Sequence, residues 1–499
     1  MRAVQEKAMV KFCRRWPWFL TVLALVPGGA LAQTRSEKVP LQIQVLADRA
    51  AGVPPEFSAD ILLKLAGDPD VRDRDWKIRT IEDAFGRSMG AQNAYRLLGG
   101  RHTATREYRQ SWDHGLDMLS LQCRAVELML DLDSGRARTL FERIRLPELP
   151  APKCRDALVA DLSNFYTTFS LVLQGGFSAS DRKKWRDIEA IEEQIRQMRS
   201  PIQIAPMTKV ILTAPVVSPE QKQRLLTTLA AVVSQPRLLT TDRQFAVYEG
   251  GIWALLYDLR NAHADLTDWI PAIRSLLVRQ YAQPRCADHS MRDGLPEAAV
   301  EFNAFLDKLK RGLPFAAVPV HPIADAEIQP SEVAGSMELT ELWQSADGAK
   351  ILDRLRWLHH GNRGLTGPNR LWSASERSAM EWDAKCREAL KLLDEMKEGE
   401  GAAEAAAVYH RKTTAYANIL KLTPEGKIRE NAAATLLAVL EHYYFRIENR
   451  SEWFSGFVTL QETALSKGGD SRLKAEIKQS KNPVISLYAA WLELTPHEE

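Results

Sequence analysis

Ser120 to Ile144, SLQCRAVELMLDLDSGRARTLFERI, decides the fold class. Leu121, Ala125, Leu128 and Leu132 recur with the spacing of one helix face, and no two-residue alternation competes with it. Asp133, Ser134 and Gly135 then read as a turn, and Leu140 with Ile144 start a second inward stripe. The stretch is therefore a helical hairpin.

The pattern repeats outward in both directions. PPEFSADILLKLAG, ending at Gly67, opens on prolines suited to a first turn and places Phe57, Ile61, Leu62 and Leu65 on one side. SASDRKKWRDIEAIEEQIRQM, from Ser178, has Ser180 as its expected N-cap and an inward seam of Trp185, Ile188, Ile191 or Glu192, Ile195 and Met198. The stretches from Ser218 and from Thr241 follow the same scheme. Helices are expected again near 338–360, 374–397, 401–420, 426–448, 452–466 and 483–494. QIAPMTKVILTAPVVS could supply short strands, but Pro206 and Pro215 argue against them.

The expected fold class is all-α, an irregular multi-helical, α-solenoid-like array of helical hairpins. No fixed repeat period accompanies the hairpins. From Gly312 to Ser336 four prolines interrupt the pattern, which reads as an interdomain linker or a long strap across the surface. The expected organisation is residues 1–32 as a signal peptide, 33–311 as an N-terminal helical domain, 312–336 as a linker and 337–499 as a C-terminal helical domain.

The N-terminus carries the clearest functional signal. Lys11, Arg14 and Arg15 form a basic segment, Trp18 to Val26 a short apolar core, and Ala30-Leu31-Ala32 a small-x-small cleavage site. This is the pattern of a secretory signal peptide cut after Ala32, with Met1 or Met9 as the start. The apolar run falls short of the ~20 residues that span a bilayer. Trp16-Pro17-Trp18 after the arginine pair fits general secretion better than a twin-arginine route, and Cys13 is placed too early for a lipobox. The expected location is periplasmic or secreted.

Cleavage changes the charge argument. It removes five basic residues and one acidic, leaving 61 against 63 and a net charge of −2. The whole-chain pI of 8.2 thus belongs largely to the leader. No basic field remains to favour nucleic acid or anionic lipid, and no integral membrane segment is expected in the mature chain. Four cysteines survive, Cys123, Cys154, Cys286 and Cys386. In an oxidising compartment they are disulfide candidates, with Cys123–Cys154 and Cys286–Cys386 the preferred pairs and buried thiols the alternative.

Catalytic signatures are few. Cys286 and His289 lack the second ligand pair that structural zinc needs, so no metal and no cofactor is expected. Ser180–Lys183 and Ser471–Lys474 have Ser-x-x-Lys spacing, but both serines sit where helices begin and the partner motifs are missing. Gly99-Gly100-Arg101-His102 reads as a helix terminator before a polar loop. A carboxylate pair about 5–9 Å apart, as sugar cleavage requires, leaves no mark in sequence.

Two stretches offer binding residues. LHHGNRGLTGPNRLW, from Leu358, follows a helix that Gly361 stops, and Ser373 with Glu376 starts the next. His360, Asn362 and Arg363 are its candidate binding loop. EHYYFRIENRSEWFSGF, ending at Phe457, holds six aromatics that cannot share one helix face. Packing of a terminal hairpin is the ordinary use of such a run; exposure of Tyr444, Trp453 and Phe454 would make a partner patch. The function that fits is an exported noncatalytic helical scaffold or binding protein for an envelope protein or polymer. The alternative is an exported glycan-acting hydrolase or lyase using a carboxylate pair.

Overall fold

One residue, Asp133, separates the two helices of the opening hairpin. In the computed structural model its N–H donates to the Met129 carbonyl at 2.7 Å and its carboxylate accepts from Arg136 N at 3.0 Å. It thus ends one helix and caps the next, and Ser134 and Gly135 fall inside the second helix rather than in a turn.

The structure describes residues 39–91, 95–97, 115–146, 158–160, 162–214, 218–238, 255–262, 264–282, 285–286, 297–312, 320–328 and 333–334. It also describes scattered helical residues between 384 and 423, then 426–446, 450–464 and 471–494. The helices used below are α1 (Leu41–Ala50), α2 (Pro55–Gly67), α3 (Arg74–Ser88), α4 (Met118–Leu132) and α5 (Ser134–Glu142). Next come α6 (Ser163–Gly175), α7 (Ala179–Lys183), α8 (Arg186–Gln197), α9 (Ile204–Thr213), α10 (Pro219–Val233), α11 (Trp269–Tyr281) and α12 (Glu297–Gly312). The last are α13 (Lys427–Tyr443), α14 (Arg450–Ala464), α15 (Ser471–Lys478) and α16 (Pro483–Leu494). The fold is all-α. The exceptions among the described residues are two minimal ladders: Tyr95–Leu97 antiparallel to Leu158–Ala160, and Arg285–Cys286 parallel to Val333–Ala334. Strands of two or three residues show no periodicity that a sequence reading could find. The segment QIAPMTKVILT is helical, with Pro206 in the first turn of α9, where its missing N–H costs nothing.

Consecutive helices pack on each other, and Val39–Glu499 forms one compact unit. Helix α4 touches α2, α3, α5 and α6, so it buries Leu119, Val126 and Met129 beyond the expected stripe, while Leu128 and Leu132 are half-buried.

A shared device closes three of the hairpins. Lys77 donates to the Asp68 carbonyl at 2.8 Å, Arg182 to Leu173 and Gln174 at 3.0 and 2.8 Å, and Lys222 to Leu212 at 3.0 Å. Each base is the fourth residue after an N-cap (Asp73, Ser178, Ser218) and reaches back to the C-terminal end of the preceding helix. Those carbonyls have no partner within their own helix, and the cation also meets the negative end of the dipole. Arg279 of α11 does the same for α10, bonding Val233 and Ser234 carbonyls at 2.9 and 2.7 Å.

Part of the proline-rich stretch runs as a strap over α11 and α12. Ile323 and Ile328 are buried, Arg274 holds Glu327 bidentately at 2.7 Å, and Asn303 exchanges two hydrogen bonds with the Ile323 backbone.

The end of the chain returns to its beginning. Asp60 of α2 is buried and accepts from Arg124 at 2.6 Å, from Tyr488 Oη at 2.5 Å and from Lys64 Nζ at 2.7 Å. Lys64 also lies over the Tyr488 and Trp491 rings of α16, 4.9 and 4.5 Å from their centroids. Burial pushes the Asp60 carboxyl up, but the Lys64 and Arg124 charges outweigh it and hold it well below the usual carboxylate range. Burial and the neighbouring Asp60 charge hold the Tyr488 phenol well above its ordinary value. Beside this cluster Phe57 packs on Trp453, Phe454 and Tyr488, with centroids 6.0, 5.3 and 6.3 Å away.

The disulfide expectation is corrected. Cys123 and Cys386 are buried thiols rather than halves of a disulfide, so neither preferred pair forms; Cys154 and the Cys286 side chain lie outside the described residues. Both thiols are enclosed by the core next to threonine hydroxyls, Cys123 near Thr168 and Cys386 with its sulfur 3.9 Å from Thr423 Oγ1. Burial pushes the Cys123 thiol up to about 12, which keeps it protonated and inert.

Two stability measurements follow by chemical denaturation. Asp60→Asn should lower the unfolding free energy by about 3 kcal/mol, the low end for breaking a buried ion pair. Lys64 and Arg124 are 28 % and 33 % exposed and keep access to water. Because the folded carboxyl titrates below its unfolded value, its contribution is complete above about pH 4 and is lost as the pH falls further. Acid unfolding of Asp60→Asn should therefore be less steep than that of the wild type. Lys222→Met keeps the apolar stem and should cost about 1 kcal/mol by freeing the α9 carbonyl.

Candidate functional site

The aromatic stretch near the C-terminus does not form a surface patch. Tyr444, Trp453 and Phe454 are all buried, which corrects their reading as binding residues. The reason is the returning chain end: α14 lies against α13 and turns Trp453 and Phe454 onto Phe57. Trp453 Nε1 donates to the Leu440 carbonyl at 2.6 Å, and Tyr409 Oη donates to the Trp453 carbonyl. Gly456 permits this approach, since a Cβ there would lie 2.9 Å from Leu440 Cδ2 and closer still to Tyr409 Oη. Of the six aromatics only Phe445 stands in solvent, 88 % exposed. His360, Asn362 and Arg363 lie outside the described residues.

The structure instead exposes Trp185, expected on an inward stripe. Ile188, Ile191, Ile195 and Met198 are buried as that stripe requires, yet Trp185 is 55 % exposed. The helix begins earlier than expected, with Ser178 rather than Ser180 as N-cap. Ser178 Oγ accepts from Asp181 N at 3.1 Å and the Asp181 carboxylate accepts from Ser178 N at 3.1 Å. It then stops after Lys183. Trp185 takes a left-handed conformation, φ 62° and ψ 20°, and α8 starts afresh at Arg186. Had the helix continued, Trp185 would sit with Ile188 on the buried face; the left-handed residue moves it off that face.

This turn is fixed from several sides. Trp185 N–H donates to the Arg182 carbonyl at 3.0 Å, and its own carbonyl accepts from Glu189 N at 2.9 Å. Arg182 bonds the Phe177 carbonyl at 3.2 Å besides its two bonds to the end of α6. A bulky side chain in left-handed backbone costs about 1–2 kcal/mol, and glycine or asparagine would serve the turn without it. Lys183, Lys184 and Arg186, around the indole in the chain, are exposed as well.

Next to the turn, α5 and α8 border an open cleft of about 500 Å³ lined by Arg138, Glu142, Phe177, Arg186, Glu189, Ala190, Glu193 and Arg196. Arg138 stacks over the Phe177 ring at 5.3 Å and bridges Asp181 at 3.2 Å and Glu142 at 3.6 Å. Arg196 holds Glu193 at 2.8 Å. The bonds from Arg196 and Gln197 keep the Glu193 carboxyl below its ordinary range, and the Ser178 hydroxyl and N–H, with Arg138, do so for Asp181. A second cleft of similar size lies at the strap, lined by Arg274, Arg279, His321 and Glu327 among others. There the Ala324 N–H and Arg274 hold Glu327 low.

Among the described residues no three His, Cys, Asp or Glu side chains converge as a metal site, and no helix is long and apolar enough to cross a membrane. No family model matches the chain, and no curated protein or solved structure matches it either.

The sequence carried one signal for the Trp185 turn: Ser178 and Asp181 form a better capping box than anything Ser180 offers. Trp185→Gly should raise the unfolding free energy by about 1 kcal/mol by relieving the left-handed strain. Thermal denaturation checks it, and a loss of stability would mean that the indole is held for packing.

Proposed function

We propose that this chain is an exported, noncatalytic helical scaffold that holds an envelope protein or polymer at its surface. In this reading a signal peptide is cleaved after Ala32 and the mature chain is an irregular, solenoid-like array of hairpins. The observation that carries it is the pairing of opposite charges along the cleft between α5 and α8, where Arg138 meets Glu142 at 3.6 Å and Arg196 meets Glu193 at 2.8 Å. Arginines interleaved with glutamates on α5 and α8 suit a partner surface bearing both signs.

The experiment is retention of an envelope partner on the immobilised protein. A partner held by the wild type should bind the Arg196→Glu variant roughly ten-fold more weakly. Release of reducing sugar from an envelope glycan, stopped by Glu189→Gln, would overturn the scaffold in favour of the hydrolase. Export is checked by N-terminal sequencing of the secreted protein, which should begin at Gln33; an intact Met1 or Met9 would refute cleavage.

A further inference from the structure

We infer that the α7–α8 turn, with Lys183, Lys184, Trp185 and Arg186, is a peripheral docking point for an anionic phospholipid surface. Three observations meet there. The indole is more than half exposed, whereas Trp269 and Trp453, the fully buried tryptophans among the described residues, are used for packing. Its backbone is the one left-handed non-glycine among the described residues, so the fold accepts a strained conformation that a glycine would relieve. The residues flanking it are three exposed cations, of which Arg186 lies 4.0 Å from the partly exposed Asp181, while Asp187 is buried against Arg182 at 3.9 Å.

The chemistry of this patch selects the occupant. An indole has an apolar body and one N–H donor, a combination that settles at the level of lipid headgroups. Lysine and arginine beside it pair with phosphates while their stems follow the apolar surface. A protein surface would be met by the mixed charge of the neighbouring cleft, to which Arg186 also belongs; Lys183, Lys184 and Trp185 stand exposed at the turn itself and outside the cleft lining. No part of the chain need be inserted beyond the indole, which fits reversible attachment.

Binding of the purified full chain to vesicles, read by flotation, tests the inference. Vesicles of phosphatidylglycerol mixed with phosphatidylcholine should carry the protein up, vesicles of phosphatidylcholine alone should not, and salt should release it. Lys183→Gln with Lys184→Gln should weaken binding roughly 25-fold, about five-fold per charge. Trp185→Gly and Trp185→Asn suit the left-handed backbone and so keep the fold, and each should weaken it about ten-fold. The inference is overturned by absent binding to the anionic vesicles, by equal binding to both kinds, or by variants that bind like the wild type. Capture of a protein partner through Trp185 in place of vesicles would also overturn it. The scaffold reading stands apart from these results, because its variant lies at Arg196, outside the turn, and its readout is a retained envelope partner.

Discussion

A buried carboxylate fixes how this chain closes. Asp60 has lost its water, and a bare carboxylate in that position would cost several kcal/mol. Arg124, Lys64 and Tyr488 together make the site tolerable, and they come from three separated parts of the chain. The cost of leaving any of them out makes the arrangement all-or-none. Helix α16 is therefore seated on α2 in one register, and Arg49, bonded to Ser486 at 3.2 Å, marks the same face on α1. The aromatic cluster of Phe57, Trp453, Phe454 and Tyr488 supplies the apolar area, while the carboxylate supplies the position.

Between the ends, the hairpins are held by a different arrangement. A helix end leaves carbonyls unpaired, and a short connection to the next helix leaves little room for water to serve them. Lys77, Arg182 and Lys222 answer this by reaching back from the first turn of the following helix. The recurrence is chemical rather than sequential. Only the N-cap and the base four residues later are shared, which is too little for a repeat consensus.

The Trp185 turn and the α5–α8 cleft depend on that device. Arg182 ties α7 to the end of α6, and the chain then turns before α8 with the left-handed position at residue 185. By spacing alone Trp185 fits the buried stripe, which predicts one continuous helix through this point. Spacing alone does not register where one helix stops and the next begins on the same stripe. The reverse error occurred at Tyr444, Trp453 and Phe454, where too many aromatics for one helix face pointed to exposure. They are buried because α13, α14 and the distant Phe57 cover different sides of them.

The sequence by itself determined the helical class, the hairpin at Asp133 and the limits of α16, because a 3.6-residue stripe and its caps are local properties. Only the tertiary structure decided that Cys123 is an enclosed thiol, that Trp185 faces solvent, and that part of the proline-rich stretch is a strap pinned by Arg274. It also decided that Asp60 meets Tyr488 across 428 residues of chain. Each of these rests on a partner far away in sequence, and no periodicity reports who that partner is.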